Sequence, residues 1–323
     1  MPMLAGTLMA SGCSARPQQT VTNPQSNAGQ HPYSTAVATA HGSPAVRTGT
    51  TGGAYASGSV PMQTMAQTTH GGYLGFDRND YPGDAAWPSL ARRFAFAGYW
   101  LNDPPGANSN GWLGKRQIVR ASGMGFLLLV NGRLDKEIQA AGKHGQTPEA
   151  LGKADAALAI EAAVREGFPK GSVIFLDQEE GGRMLPEQSG YLLAWTEAVA
   201  ATAYRPGVYA SGQPVPDDPG TTITTAQDIR QQVKAKGLHE VAIFVAQDAC
   251  PPSNGCSVDP PPMEASGTPG AVAWQIAQSP RRPAITRACA HTYNADGNCY
   301  APGFTSMFLD MDVASSPDPS HGR

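Results

Sequence analysis

From residue 71 onward the chain repeats one unit: a short, nearly unbroken apolar run, a stretch with helical spacing, then another apolar run. The runs cover residues 73–76, 96–101, 126–130, 173–176, 207–210, 241–246, 271–276 and 307–309. A strand with one wet face alternates apolar and polar side chains. Runs that do not alternate belong to strands buried on both faces, as in a parallel sheet covered by helices. Helical spacing fills residues 87–95, 113–121, 148–166, 187–203 and 225–236. The third of these opens Thr147-Pro148-Glu149, a cap residue with proline at the first helical position. The fifth opens at Thr224 or Thr225 and carries Asp228 in its first turn. Strand–helix–strand repeats require a parallel sheet with right-handed crossovers. Eight strands in about 240 residues suit a closed barrel. A doubly wound open sheet is the second architecture compatible with these units. Residues 247–271 and 278–305 show loop signals and no helix. The expectation is a TIM-like α/β barrel: five β/α units, then three strands with irregular connections.

The first seventy residues have a different character. They hold no Asp, Glu or Lys and only Arg16 and Arg47 as cations. Thr, Ser, Ala, Gly and Gln dominate, and such a stretch lacks the apolar bulk to offset its ordering entropy. Within it, Met9-Ala10-Ser11-Gly12-Cys13 follows an apolar run and looks like a bacterial lipobox, with Ala10 where Leu is usual and no Lys/Arg n-region before it. The domain reading is a lipoprotein signal-like segment over 1–13, a disordered linker over 14–70, the barrel over 71–314 and a flexible tail over 315–323. That reading makes the protein exported, anchored to a membrane only through lipid on Cys13, or secreted.

The other four cysteines fall in loop-rich segments as local pairs. In an exported chain an even number favours disulfides. Cys250–Cys256 and Cys289–Cys299 are the simplest pairing, and a four-cysteine zinc site would show tighter spacing. No metal and no cofactor are expected. The net charge of −3 gives no basic patch for a nucleic-acid partner. No stretch reaches the roughly 18 apolar residues of a membrane-spanning helix. There is no G-x-S-x-G, P-loop or H-E-x-x-H.

Acidic side chains cluster where the apolar runs end. The first ends Gly75-Phe76-Asp77, the fourth Leu176-Asp177-Gln178-Glu179-Glu180, the sixth Gln247-Asp248 and the eighth Leu309-Asp310-Met311-Asp312. In a barrel, strand ends distant in sequence meet around one mouth. Asp177 and Glu179, two apart on a strand, point to one side. A Glu held among carboxylates resists ionising, which suits a general acid near neutral pH. Tyr99, Trp100, Tyr209 and Trp274 lie in strands, where wall packing is the default and a sugar subsite the alternative.

These residues together resemble a known group. Gly75-Phe76-Asp77, Asp177-x-Glu179, Pro206-Gly207-Val208-Tyr209, Trp274-Gln275 and Asp310-Met311-Asp312 occur in the order seen in glycoside hydrolase family 25 lysozymes. The related glycoside-hydrolase-like domain once called domain of unknown function 1906 is the closer match, over about residues 71–314. The resemblance implies a muramidase-like cleavage of a β-1,4 bond beside an N-acetylated sugar. Glu179 would be the general acid, and Asp177 would orient or stabilise the reacting centre. Asp77 and Asp310 would complete the catalytic ring. Tyr209, Gln275, Trp274 and Asp312 would contact the glycan. Substrate-assisted retention needs no protein nucleophile. The extra acid Glu180, the base Arg183 and Asn131-Gly132-Arg133 after the third run depart from the pattern. The competing reading is a catalytically inactive cell-envelope protein that binds or scaffolds glycan, since fold alone does not fix activity.

Overall fold

The computed structural model describes residues 71–247, 262–277, 303–304, 307 and 309–323. The chain divides into two units, Met1–Gly52 and Gly53–Arg323, and the described residues all belong to the second. The linker over 14–70, the lipidation at Cys13, the pairs Cys250–Cys256 and Cys289–Cys299, and Asp248 lie outside the described residues.

Five β/α units come first. Strands β1 (Tyr73–Asp77), β2 (Phe96–Trp100), β3 (Gly125–Asn131), β4 (Val173–Gln178) and β5 (Arg205–Ser211) are separated by helix α1 (Trp87–Leu90), helix α2 (Arg116–Ala121), the two helices α3 (Asp135–Gly142) and α4 (Pro148–Glu166), and helix α5 (Pro186–Ala200). A small ribbon, β6 (Val215–Pro216) with β7 (Thr222–Ile223), precedes helix α6 (Thr225–Lys236). Strands β8 (Ala242–Ala246), β9 (Ala273–Ala277) and β10 (Asp310–Ala314) complete the set. The sheet closes into an eight-stranded barrel in the order β1-β10-β9-β8-β5-β4-β3-β2. The expected TIM-like architecture is therefore present.

Two helices occupy the residues their caps mark. Thr147 Oγ1 accepts the Ala150 N–H at 3.2 Å, and Gly167 ends α4 at φ 77°. At α6, Thr224 Oγ1 accepts the Gln227 N–H at 3.1 Å, Gln227 Oε1 accepts the Thr224 N–H at 3.0 Å, and Gly237 closes the helix. The α6 box satisfies two end amides that water would otherwise have to serve, and the Thr147 cap one.

The last strand corrects the sequence reading. It is the polar segment Asp310–Ala314 and not the apolar run at 307–309. It runs antiparallel to both neighbours, pairing Asp77 with Asp310 and Gly75 with Asp312 on β1. Asp310 thus begins a strand where β1 ends, and it reaches the same end of the barrel because the chain direction is reversed.

The interior is packed by Phe96, Phe175 and Phe244, all at most 1% exposed. Close approach is purchased with glycine: a Cβ on Gly75 would overlap the Phe96 ring, and one on Gly207 would meet Phe175 at 2.5 Å. Outside the wall, Tyr99, Trp112, Phe126 and Phe168 stack edge to face between strands and helices.

Residues 315–323 do not form the expected flexible tail. They dock at the end of the barrel opposite the mouth. There Ser320 acts as a one-residue strand between β3 and β4: its N–H donates to Phe126 O, its carbonyl accepts from Val173 N, both at 2.9 Å, and its hydroxyl accepts from Leu128 N at 2.8 Å. Asp318 accepts the Phe126 N–H at 2.8 Å and caps Gly322 and Arg323. Ser320 has no exposed surface. Asp318→Ala should lower unfolding stability by about 1.5–3 kcal/mol, the range for hydrogen bonds to a charged group. Urea titration would measure it, and a wild-type midpoint would rule out this role.

Candidate active site

The mouth lies at the carboxyl ends of the parallel strands. Asp77 is the last residue of β1, Asp177 the penultimate residue of β4, and Glu179 follows that strand directly. Asp310 enters beside Asp77 as its cross-strand partner. The four acids expected at one end are brought to one end. Asp77 and Asp177 are each 6% exposed, whereas Glu179 and Asp310 are half-buried. Asp77 has room because its neighbour on β2 is Gly98, where a Cβ would overlap that of Asp77. Sequence inspection did not single out Gly98. A strand glycine with no turn nearby is the signal that could have marked it.

A hydrogen-bonded chain crosses the interior. The Tyr209 hydroxyl donates to Gln275 Oε1 at 2.9 Å, and Gln275 Nε2 donates to Asp77 Oδ2 at 3.2 Å. Tyr209 stands opposite Asp177 in the β4–β5 register and is 8% exposed. Asp312 lies one layer down, opposite Gly75 and Gln275, with no exposure at all. It is a floor residue, not a rim residue. Were it charged, neither oxygen would have a donor. Burial, the charges of Asp77 and Asp310, and a hydrogen bond to Asp77 all push its pKa well above the usual carboxylate range. Asp312 therefore resists ionising, and its hydrogen bond to Asp77 joins that of the Gln275 amide on the same carboxyl group. Trp274 faces the other side of the wall. It is wholly buried and donates Nε1–H to Gln247 O at 3.1 Å, so its place is in the barrel packing and not at the mouth.

The carboxyl driven upward beside Glu179 is Asp177. Burial is the largest cause, followed by the charges of Glu179 and Asp77. Asp177 Oδ1 also finds no hydrogen-bond donor.

The residues that departed from the expected pattern have structural partners. Glu180 accepts the Asp135 N–H at the start of α3 with both oxygens at 3.0 Å, and also the Gln178 and Gln188 side-chain amides. Arg183 forks onto Asp217 at 3.0 and 2.6 Å and reaches buried Asp228 at 2.8 Å. Arg133 forks onto Asp155, which Tyr191 also reaches. Arg78, just past Asp77, feels the charge of Asp310 and is the cation that sequence inspection passed over. Among the described residues no group of three or more His, Cys, Asp and Glu is arranged to hold a metal ion. None of their helices is long and apolar enough to cross a membrane.

Asp312 supplies a stability test. Below the unfolded pKa of about 3.9 both states carry its proton. Above that, the unfolded chain releases it and the native state does not, so stability falls with rising pH up to the folded pKa. Asp312→Asn keeps a donor toward Asp77 without the titration. The variant should match wild type near pH 4 and exceed it at pH 7.5, the gap opening by up to about 1.4 kcal/mol per pH unit. Thermal melts at both pH values check this, and a variant less stable at pH 7.5 would contradict it.

Residues 109–246 match the model of the Rv2525c-like, glycoside hydrolase-like domain family, a span that includes Asp177, Glu179 and Tyr209. Over that span the barrel is similar to a glycoside hydrolase-like domain. No curated protein matches it. Among solved structures, an uncharacterized protein of B. stearothermophilus is 17% identical with a TM-score of 0.48, over 75% of this chain and 96% of that one. The Tat-secreted protein Rv2525c of Mycobacterium tuberculosis, in complex with HEPES, is 13% identical with a TM-score of 0.45, over 76% and 96%. The modular autolysin LytC of Streptococcus pneumoniae, in complex with a synthetic peptidoglycan ligand, is 10% identical with a TM-score of 0.39, over 75% of this chain and 46% of that one.

Proposed function

We propose that this barrel cleaves a β-1,4 bond of an N-acetylated glycan of the peptidoglycan kind, with Glu179 as the general acid. The observation that carries the reading is the meeting of Asp77, Asp177, Glu179 and Asp310 at one mouth, where Asp177 is forced above the usual carboxylate range. A protein that only holds sugar needs hydrogen bonds, and has no use for acids packed tightly enough to trap a proton.

The residues then divide the work. Asp177, buried beside the charges of Glu179 and Asp77, resists ionising, and in this reading it shares its proton with Glu179. Glu179, the more accessible partner, delivers it to the glycosidic oxygen as the bond to the anomeric carbon breaks. With the proton on Glu179, the pair's charge stands on Asp177, below the reacting centre, where it offsets positive charge developing on the sugar ring. The acetamido oxygen of the sugar closes on the anomeric carbon in place of a protein nucleophile, and water then opens that ring. The charge of Asp77 adds to the repulsion that disfavours ionisation of the neighbouring acids, and Gln275 holds Asp77 in place. Tyr209 and Gln275 form the floor on which the glycan rests. Asp177→Asn should lower kcat by about 10²-fold, because the offsetting charge is gone. Reducing-end release from purified cell wall would measure it, and wild-type kcat in this variant would remove Asp177 from the chemistry.

The same reading places the protein outside the cytoplasm, held through lipid on Cys13 or secreted, with the linker over 14–70 spanning the distance. Support comes from the lipobox-like sequence and from the first seventy residues, which carry no acid and only two arginines. Metabolic labelling with a fatty-acid analogue tests the anchor: label should attach to wild type and be lost in Cys13→Ser.

A further inference from the structure

The loop that carries Glu179 is tied down on two sides by Glu180 and Arg183, two of the residues that depart from the expected pattern. On one flank Glu180 gathers the first amide of α3 and two glutamine side chains. On the other, Arg183 spans three elements: its own loop, the ribbon over residues 212–223 and helix α6. Its Nε and Nη2 form a fork on Asp217 at 3.0 and 2.6 Å, and Nη1 reaches Asp228 Oδ1 at 2.8 Å. Asp228 is itself fixed, since its other oxygen accepts Met184 N–H and Gln232 Nε2, both at 3.0 Å.

The ribbon follows β5 and so rises at the mouth. Residues 216–222 are exposed, and its root is anchored by Ile223, 3% exposed, and by the Gly212 N–H on Ala246 O at 2.7 Å. Between root and tip its tie to the rest of the barrel runs through Arg183 and through Val215 beside Gly182. Gly182 sits at φ 90°, and a Cβ there would come within 3.2 Å of the Val215 side chain. An exposed two-stranded ribbon is marginally stable alone, and a bidentate arginine fork fixes orientation as well as distance.

We infer that Arg183 is a positioning residue that clamps the 212–223 ribbon upright, and that the clamped ribbon is one wall of the groove in which the glycan chain lies. The inference rests on the glycan reading of the mouth. It predicts a division of labour. Glu179 stays in place through Glu180 when the ribbon loosens, so loss of the clamp falls on substrate affinity. Loss of Glu180 lets the Glu179 loop shift, so it falls on turnover.

Asp217→Asn is the clean variant, because it opens the fork and leaves the pairing of Arg183 with buried Asp228 intact. Hydrogen–deuterium exchange without glycan should show amides in 212–223 exchanging about tenfold faster, with the barrel strands unchanged. On purified cell wall the half-saturation constant should rise about fivefold, with kcat held within about twofold. Glu180→Ala should show the reverse split, with kcat down about tenfold and half-saturation little moved. Unchanged exchange in Asp217→Asn would overturn the clamp. Faster exchange with unchanged half-saturation would overturn the wall. If the wild-type protein never engages the glycan, the reading of the mouth fails and the wall with it, while exchange measured without glycan still decides the clamp.

Discussion

Glu179→Gln should lower turnover of cell-wall glycan by roughly 10²–10⁴-fold while leaving glycan binding nearly unchanged. The substitution keeps the shape of the side chain and takes away its transferable proton. Its effect separates from that of a folding defect because Glu179 is half-buried at the mouth and packs no part of the core. Removing its charge also relieves one of the repulsions on Asp177, whose pKa is raised by burial, by Glu179 and by Asp77. Asp177 should therefore ionise more readily in the variant, and residual activity should move to lower pH. Measured across pH 4–8, equal turnover by wild type and variant would show that Glu179 is not the acid.

Truncation after Ser315 should cost more than any side-chain change. It removes Asp318 and Ser320 and strands the N–H groups of Phe126, Leu128 and Val173 at the barrel's lower end. Those three residues are at most 2% exposed. A buried donor left without an acceptor costs about 1–3 kcal/mol, so the sum of roughly 3–9 kcal/mol rivals the whole stability of a typical domain. The truncated chain should lose its cooperative thermal transition or melt more than about 10 °C lower. Ser320→Ala, which removes only the acceptor of Leu128 N–H, should cost about 1–2 kcal/mol. A truncated protein that melts like wild type would mean that the docked segment is not part of the fold.

The two predictions draw on parts of the molecule that differ in how openly the sequence displays them. Interior strands such as β3 and β8 announce themselves, because a wall buried on both faces tolerates few polar side chains. Helices α4 and α6 are legible to the residue, since Thr147, Thr224, Gly167 and Gly237 each meet a local hydrogen-bonding need at a helix end. Helix α3 was passed over: it is eight residues long, buries only Ile138, and its first amides are served from a distance by Glu180. Strand β10 was misplaced for a reason tied to function. Its inward positions are Asp310 and Asp312, so the segment that lines the site looks polar, while the apolar stretch before it is not the strand. The four acids were found because strand ends are short-range features. The depth of Asp312 and the outward turn of Trp274 depend on register and chain direction, which short-range pattern does not fix. The docked tail was likewise hidden, because Ser-Pro-Asp-Pro-Ser carries every local mark of a loop and gains its order from strand amides 147 to 194 residues away in sequence, as between Val173 and Ser320 or Phe126 and Ser320.

The central claim is that the acids at the mouth do chemistry. Reducing-end release from purified cell wall, followed with the wild-type protein across pH 4–8 alongside a binding assay on the same material, tests this most directly. The expected result is steady release that falls off at high pH, where the raised Asp177 carboxyl finally ionises and the cluster no longer holds a proton to donate. Binding without any release at any pH in that range would contradict it, and would leave the barrel a glycan-holding protein.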